Sequence, residues 1–156
     1  EDAVNRYDTI VSTGNEYLDL LLTEKSMLCQ AKKIMFTYIA DGQKLNFMEP
    51  GDVYSLFGNA TENAIEYVEK LEDEEKRFIH LSVKAVEGLV TVHVENYFEG
   101  QEWNMAEGLP GTTKENKSYH GFGLRSIRMT AEKYGGEMSV HAADHLFSLD
   151  VVLPLR

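Results

Sequence analysis

Residues 79–96 read Ile79-His80-Leu81-Ser82-Val83-Lys84-Ala85-Val86-Glu87-Gly88-Leu89-Val90-Thr91-Val92-His93-Val94-Glu95-Asn96, and this stretch decides the fold. Ile79, Leu81, Val83 and Ala85 alternate with His80, Ser82 and Lys84; Val90, Val92 and Val94 then alternate with Thr91, His93 and Glu95. A period of two sends each set to one face of a strand, so the pattern predicts two strands with one buried face. Glu87-Gly88 suits a two-residue turn between them, which makes the pair an antiparallel hairpin. The pleat carries Asn96 onto the buried face, a carboxamide closing an apolar row.

Before the hairpin, Pro50-Gly51 breaks the chain and Asp52 is positioned to cap a helix running to Leu71. Val53, Leu56, Phe57, Ala60, Ala64, Val68 and Leu71 form its apolar stripe. The acidic residues 72–76 read as a solvated turn. Further back, Thr13-Gly14-Asn15-Glu16 has the order of a capping box, and Leu18, Leu21, Leu22 and Leu28 follow at helical spacing, predicting a helix over 14–32. A strand over 34–40, an Asp41-Gly42 turn and a short segment over 45–48 complete this half.

After Asn96 the periodicity disappears over 98–119, where Gly100, Gly108, Pro110 and Gly111 mark a loop of about twenty residues, a length typical of functional lids. A third helix is expected over 121–134, with Leu124, Ile127, Ala131 and Tyr134 facing the core and Gly135-Gly136 ending it. Met138, Val140 and Ala142 alternate as one further strand and Phe147, Leu149, Val151 and Leu153 as another, joined at Asp144-His145. The sum is an α+β two-layer sandwich, a mixed, mostly antiparallel sheet with helices on one face. Residues 1–12 read as a linker and 13–156 as one domain.

The 156 residues are 43% hydrophobic and 26% charged, enough for a single core and incompatible with disorder. Fifteen Lys and Arg stand against 26 Asp and Glu, and the net charge of −11 excludes a general affinity for nucleic acid or anionic membranes. Cys29, the single cysteine, cannot form an internal disulfide, and a reduced, cytoplasmic setting is expected. No apolar run approaches the roughly 18–20 residues that span a bilayer, and the start lacks signal-peptide order. Because the sequence starts at Glu1 without an initiator Met, it is expected to be a fragment or a processed form of a larger parent.

Three features point to chemistry. Asn59 and Asn63 lie one turn apart at the border of an apolar stripe, where carboxamide oxygens can bind Mg²⁺. His120-Gly121-Phe122-Gly123-Leu124-Arg125 places a glycine pair at the expected start of the third helix, where free amides and the positive dipole end favour phosphate. Ser126 stands where a dinucleotide-binding fingerprint needs its third glycine, and no Walker loop is present. Asn96, with donor and acceptor on one side chain, suits the edge of a purine.

The order of Asn-x-x-x-Asn helix, hairpin, strand-end Asn, long loop and Gly-x-Gly helix resembles the GHKL ATP-binding superfamily. Within it, Thr13-Gly14-Asn15, residues 56–65 (LFGNATENAI) and residues 120–124 (HGFGL) look like the catalytic domain of bacterial sensor histidine kinases, in particular the peptide- and metabolite-sensing branch. The resemblance implies ATP and Mg²⁺ as cofactors, Asn63 as metal ligand and Asn59 as support for phosphates or metal waters. It implies Tyr67 against adenine or ribose, Asn96 and Gly100 in a first glycine box, and Gly121, Gly123 and Leu124 in a second. His120 is implied as lid hinge or phosphate contact, with Arg125, Lys117 and Lys114 as further phosphate contacts.

The usual D-x-G-x-G box reads Asn96-Tyr97-Phe98-Glu99-Gly100 here, without the charge assistance of an aspartate. Glu66 stands where many histidine kinases carry a basic residue. Asn59 cannot take a proton where hydrolytic members hold a general base, which favours phosphoryl transfer over hydrolysis. The resemblance implies transfer of the γ-phosphoryl group to a His on an upstream dimerisation domain absent from this sequence, and a response regulator as indirect partner. A non-catalytic regulatory module and an anti-sigma-type serine kinase share the fold and stand as alternatives.

Overall fold

A computed structural model describes residues 11–100, 103–104 and 114–156, the side chains of 103–104 and 114–122 excepted. The elements run in the order α1 (Glu16–Ala31), β1 (Met35–Ala40), a 3₁₀ turn (Gly42–Leu45), α2 (Pro50–Val68), a 3₁₀ turn (Glu74–Lys76), β2 (Phe78–Val86), β3 (Leu89–Tyr97), β4 (Trp103–Asn104), α3 (Lys114–Lys133), β5 (Glu137–Ala143) and β6 (Leu146–Pro154). One sheet carries the strands in the order β1-β2-β3-β6-β5-β4. β1 runs parallel to β2 and the other described pairs are antiparallel, so the sheet is mixed and mostly antiparallel as expected.

The hairpin forms in the predicted register, with Val86 opposite Leu89 and Ile79 opposite Asn96. Glu87 and Gly88 both take positive φ (51° and 82°), the twist that a two-residue hairpin turn requires. Asp144 and His145, at φ 55° and 63°, make the same kind of turn between β5 and β6.

The core lies between the inner sheet face and the three helices. Leu81, Val92, Leu149 and Val151 from the sheet meet Leu21, Leu22, Phe57, Val68, Leu124 and Ile127 from the helices, all essentially without solvent exposure. Full burial of a side chain such as Phe57 stabilises by roughly 1.5–3 kcal/mol.

Four local expectations need correction. Asn15, not a Thr13–Glu16 capping box, caps α1: its Oδ1 accepts from the Tyr17 and Leu18 amides at 3.1 and 2.9 Å. Thr13 instead donates from its backbone and its hydroxyl to Asp19 at 2.9 and 2.6 Å, fixing the chain as it enters the helix. In α1, Cys29 takes the core position expected of Leu28, which is 38% exposed. Glu49 is the N-cap residue of α2 and Pro50 opens it, where a missing N–H costs nothing, so Asp52 sits inside the first turn and is free to make other contacts.

The fourth correction bears on function. The stretch 98–119 is not continuous loop, because Trp103 and Asn104 pair with Ala142 and His141 at the sheet edge and α3 already starts at Lys114. Gly121 and Gly123 therefore lie about two turns inside the helix rather than at its start. Met105, Gly108, Pro110 and Gly111 fall outside the described residues.

Candidate functional site: the border between α2 and α3

Helices α2 and α3 pack antiparallel, and the side chains of Glu49, Asp52, Lys133 and Tyr134 fix their register. At the N-terminal end of α2, Lys133 Nζ lies 2.7 Å from Asp52 Oδ2 and 3.5 Å from a Glu49 carboxylate oxygen. The Tyr134 hydroxyl donates to the same Asp52 oxygen while accepting from the Glu49 amide at 3.0 Å. These donors hold the Asp52 carboxyl below its ordinary pKa, Lys133 contributing most and Tyr134 next.

Two turns along α2 and two turns back along α3, Asn59 Nδ2 donates to Ser126 Oγ at 3.1 Å, and to Ser55 Oγ at 3.3 Å on its own helix. One turn further on, the same register brings Asn63 level with the turn of α3 that contains Gly123. Asn59 and Asn63 are both half-buried, as expected of amides at the edge of the core stripe.

Gly123 is the most informative residue of this border. A Cβ built there meets no atom of the described residues within 4 Å, and its φ is not positive, so neither packing among them nor backbone conformation requires glycine. Glycine inside a helix costs about 1 kcal/mol relative to alanine. Gly136 is the opposite case: its Cβ would stand 2.1 Å from the Val152 carbonyl oxygen, so close packing on β6 demands glycine. A glycine with open space over it permits close approach of something outside the fold.

The expected phosphate cradle at a helix start is not formed by Gly121 and Gly123, since N–H groups in a helix interior are directed at carbonyls one turn back. Leu124 is a core residue with 1% exposure, which anchors the Gly123 turn rather than lining a site. Arg125 is exposed beside it. Lys114, Lys117, His120 and Gly121 belong to α3 by backbone, and their side chains lie outside the described residues.

The residues at the end of β3 reach α2 through Tyr67. Asn96 is 2% exposed on the inner face, and its Nδ2 donates to the Tyr97 carbonyl at 2.7 Å. That bond fixes the nitrogen end, so the oxygen is turned the other way as an acceptor. Tyr67, one turn beyond Asn63, accepts from the Glu99 amide at 2.9 Å and lies 5.1 Å from the Phe98 ring. Phe98 in turn lies 5.8 Å from Phe147. Tyr67 thus pins the chain leaving β3 to α2, a structural contact that sequence reasoning did not foresee. A Cβ at Gly100 would stand 2.4 Å from the Phe98 ring, so a larger residue there needs that ring to shift.

The site has little cationic character among its described side chains. Glu66, on the exposed side of α2, has its carboxyl pKa raised by partial burial first and by Glu62 next. What the border offers is carboxamide groups at Asn59 and Asn63 and open space at Gly123 among the described residues, with a third carboxamide, Asn96, at the end of β3. His80 and His93, away from this border on the open sheet face, have ordinary partners: His80 Nδ1 meets Thr37 Oγ1 at 2.8 Å, and His93 bridges Asp150 and Glu95 at 2.7 and 2.8 Å.

Comparison with known proteins agrees with this fold. No curated protein sequence matches the chain. The catalytic domain of histidine kinase ThkA, in a nucleotide-free form, superposes with a TM-score of 0.67 at 17% identity, over 90% of this chain and 92% of that one. Histidine kinase AdeS of Acinetobacter baumannii gives 0.63 at 10% identity, and the histidine kinase domain of a blue-light activated kinase from Erythrobacter litoralis gives 0.60 at 18%. The chain covers 64% and 63% of the lengths of these two. At such identities the likeness establishes the fold. The family model of the GHKL domain matches residues 48–154, from just before α2 to the end of β6. This chain belongs to the GHKL domain family.

Proposed function

We propose that the α2–α3 border binds ATP with Mg²⁺ and that the chain is the catalytic domain of a sensor histidine kinase. The observation that carries this reading is the juxtaposition of the Asn59–Asn63 pair with a helix-interior glycine that packing among the described residues does not need. Carboxamide oxygen is a hard donor that fits Mg²⁺, which binds through one or two protein ligands plus phosphates and water. Asn63 is the metal ligand, Asn59 supports it, and Gly123 lets the nucleotide approach α3 closely. At the end of β3, the buried Asn96 oxygen accepts from the purine amine, and Tyr67 holds the base side of the site in place through Glu99 and Phe98. Arg125, Lys117 and His120 are the candidates for phosphate contact.

Bound Mg²⁺ neutralises phosphate charge, and the remaining work is positioning. A neutral imidazole carries its own attacking lone pair, so transfer to histidine needs no general base from this chain. Asn59 offers none, which disfavours water as acceptor. The accepting His belongs to a dimerisation domain of the parent, and a response regulator receives the phosphoryl group afterwards, on the cytoplasmic side. The described helices include none long and apolar enough to cross a membrane.

The test is transfer from [γ-³²P]ATP in the parent protein, or in this chain mixed with the parent's dimerisation domain. Acid-labile, base-stable label on the partner that is absent with Asn63→Ala is the expected result. Acid-stable label would indicate serine transfer. No label, with nucleotide binding intact, would assign the chain to a regulatory module instead.

A further inference from the structure

We propose that Ser126 is a positioning residue that holds the Asn59 carboxamide in its working orientation and so ties α3 to the metal side of the nucleotide site. This rests on the reading of the α2–α3 border as an Mg-ATP site. Asn59 Nδ2 has two hydroxyl acceptors: Ser55, one turn back on its own helix at 3.3 Å, and Ser126, across the interface at 3.1 Å. The Ser126 contact is the shorter one and spans the two helices. With the nitrogen committed to both hydroxyls, the oxygen end faces away from them. Oxygen attracts a cation or its waters, whereas an amide NH₂ in the same place repels it.

The surroundings favour a positioning role over simple packing. Ser126 is half-buried between Arg125, which is exposed, and Ile127, which is wholly buried, so its hydroxyl lies at the border itself. The Asp52–Lys133–Tyr134 contacts, two turns away, already fix how α3 lies on α2. A second link at Asn59 adds little to that register but sets the torsion of one side chain. Partners of this kind behind a metal site typically alter affinity by about 10–100-fold when removed.

The experiment is calorimetric titration of the chain with ATP, in excess Mg²⁺ and again in EDTA, for wild type, Ser126→Ala, Ser126→Thr, Asn59→Ala and the Asn59→Ala/Ser126→Ala double variant. Thermal unfolding of each runs alongside. Ser126→Ala is expected to weaken binding about tenfold in Mg²⁺ and hardly at all in EDTA, with a small change in Tm. Ser126→Thr, which keeps the hydroxyl, restores affinity, and Ser126→Ala adds nothing in the Asn59→Ala background. Wild-type binding with an unchanged Mg²⁺-dependent affinity in Ser126→Ala overturns the positioning role alone. An equal loss in EDTA, or an additive loss in the double variant, also overturns it. Absence of binding by the wild type overturns the nucleotide site and this role together.

Discussion

The two ends of the α2–α3 interface are built from different materials. At the N-terminal end of α2 a carboxylate, an ammonium and a phenol close on one another, with Asp52 held ionised by Lys133 and Tyr134. Two turns on, the contact is between uncharged groups, Asn59 and Ser126, and one turn further Gly123 leaves space that no described side chain fills. The same two helices thus make a fixed end and an open end. Charge pairing at the fixed end sets the spacing of the helices, and that spacing lets the open end remain unfilled without collapse. Glycine usage follows the same division: Gly136, beyond the fixed end, is required by contact with β6, and Gly123 is required by nothing among the described residues.

The largest effect expected from this contrast is at Gly136. Gly136→Ala drives a methyl group against the Val152 carbonyl and should destabilise by about 3 kcal/mol, read by urea unfolding, because backbone rather than a flexible side chain must yield. Next is the fixed end. Asp52→Asn should cost about 1–2 kcal/mol at neutral pH. Since the folded pKa of Asp52 lies below its unfolded value, this difference from wild type is fully present above about pH 4 and fades as pH falls through the folded pKa. A pH-independent difference would show that shape, not charge, makes the contact.

A smaller, pH-dependent effect belongs to the open sheet face, as a control outside the interface. His93 has its pKa raised to about 9, by its hydrogen bond to Asp150 first, against burial, and by Glu95. A raised histidine stabilises fully below its unfolded pKa of about 6.5 and loses that contribution as pH rises through about 9. The stability gap between wild type and His93→Gln should therefore close between these values, and nucleotide affinity should not follow it. Cys29, buried with its thiol pKa pushed up to about 11, should react with a thiol reagent only as fast as the chain unfolds.

The sheet was the most legible part of the sequence, because a period of two leaves little choice of face: the hairpin register, Asn96 on the inner row and the Asp144-His145 turn all follow from alternation. Asn59 and Asn63 were legible as a pair for the same reason, being one turn apart beside an apolar stripe. The parallel pairing of β1 with β2 was not legible, since it depends on a crossover through α2. The start of α3 was misplaced because glycines within residues 98–119 looked like loop signals, and the polar run from Lys114 has no core stripe of its own to announce a helix. Asp52 shows the limit of capping rules, which find a helix start but not a tertiary partner eighty residues away in sequence. The Tyr67–Glu99 and Asn59–Ser126 bonds were invisible for that reason, as they join residues far apart along the chain.

The central claim is that the open end of the interface is kept open for a nucleotide, and Gly123→Ala tests it most directly when thermal unfolding and Mg-ATP titration are measured on the same preparation. The expected result is a Tm equal to or above that of wild type, since alanine is the better helix former by about 1 kcal/mol and meets no neighbour among the described residues, together with at least a tenfold loss of Mg-ATP affinity. A variant that binds Mg-ATP as tightly as wild type would contradict the claim, whatever its stability.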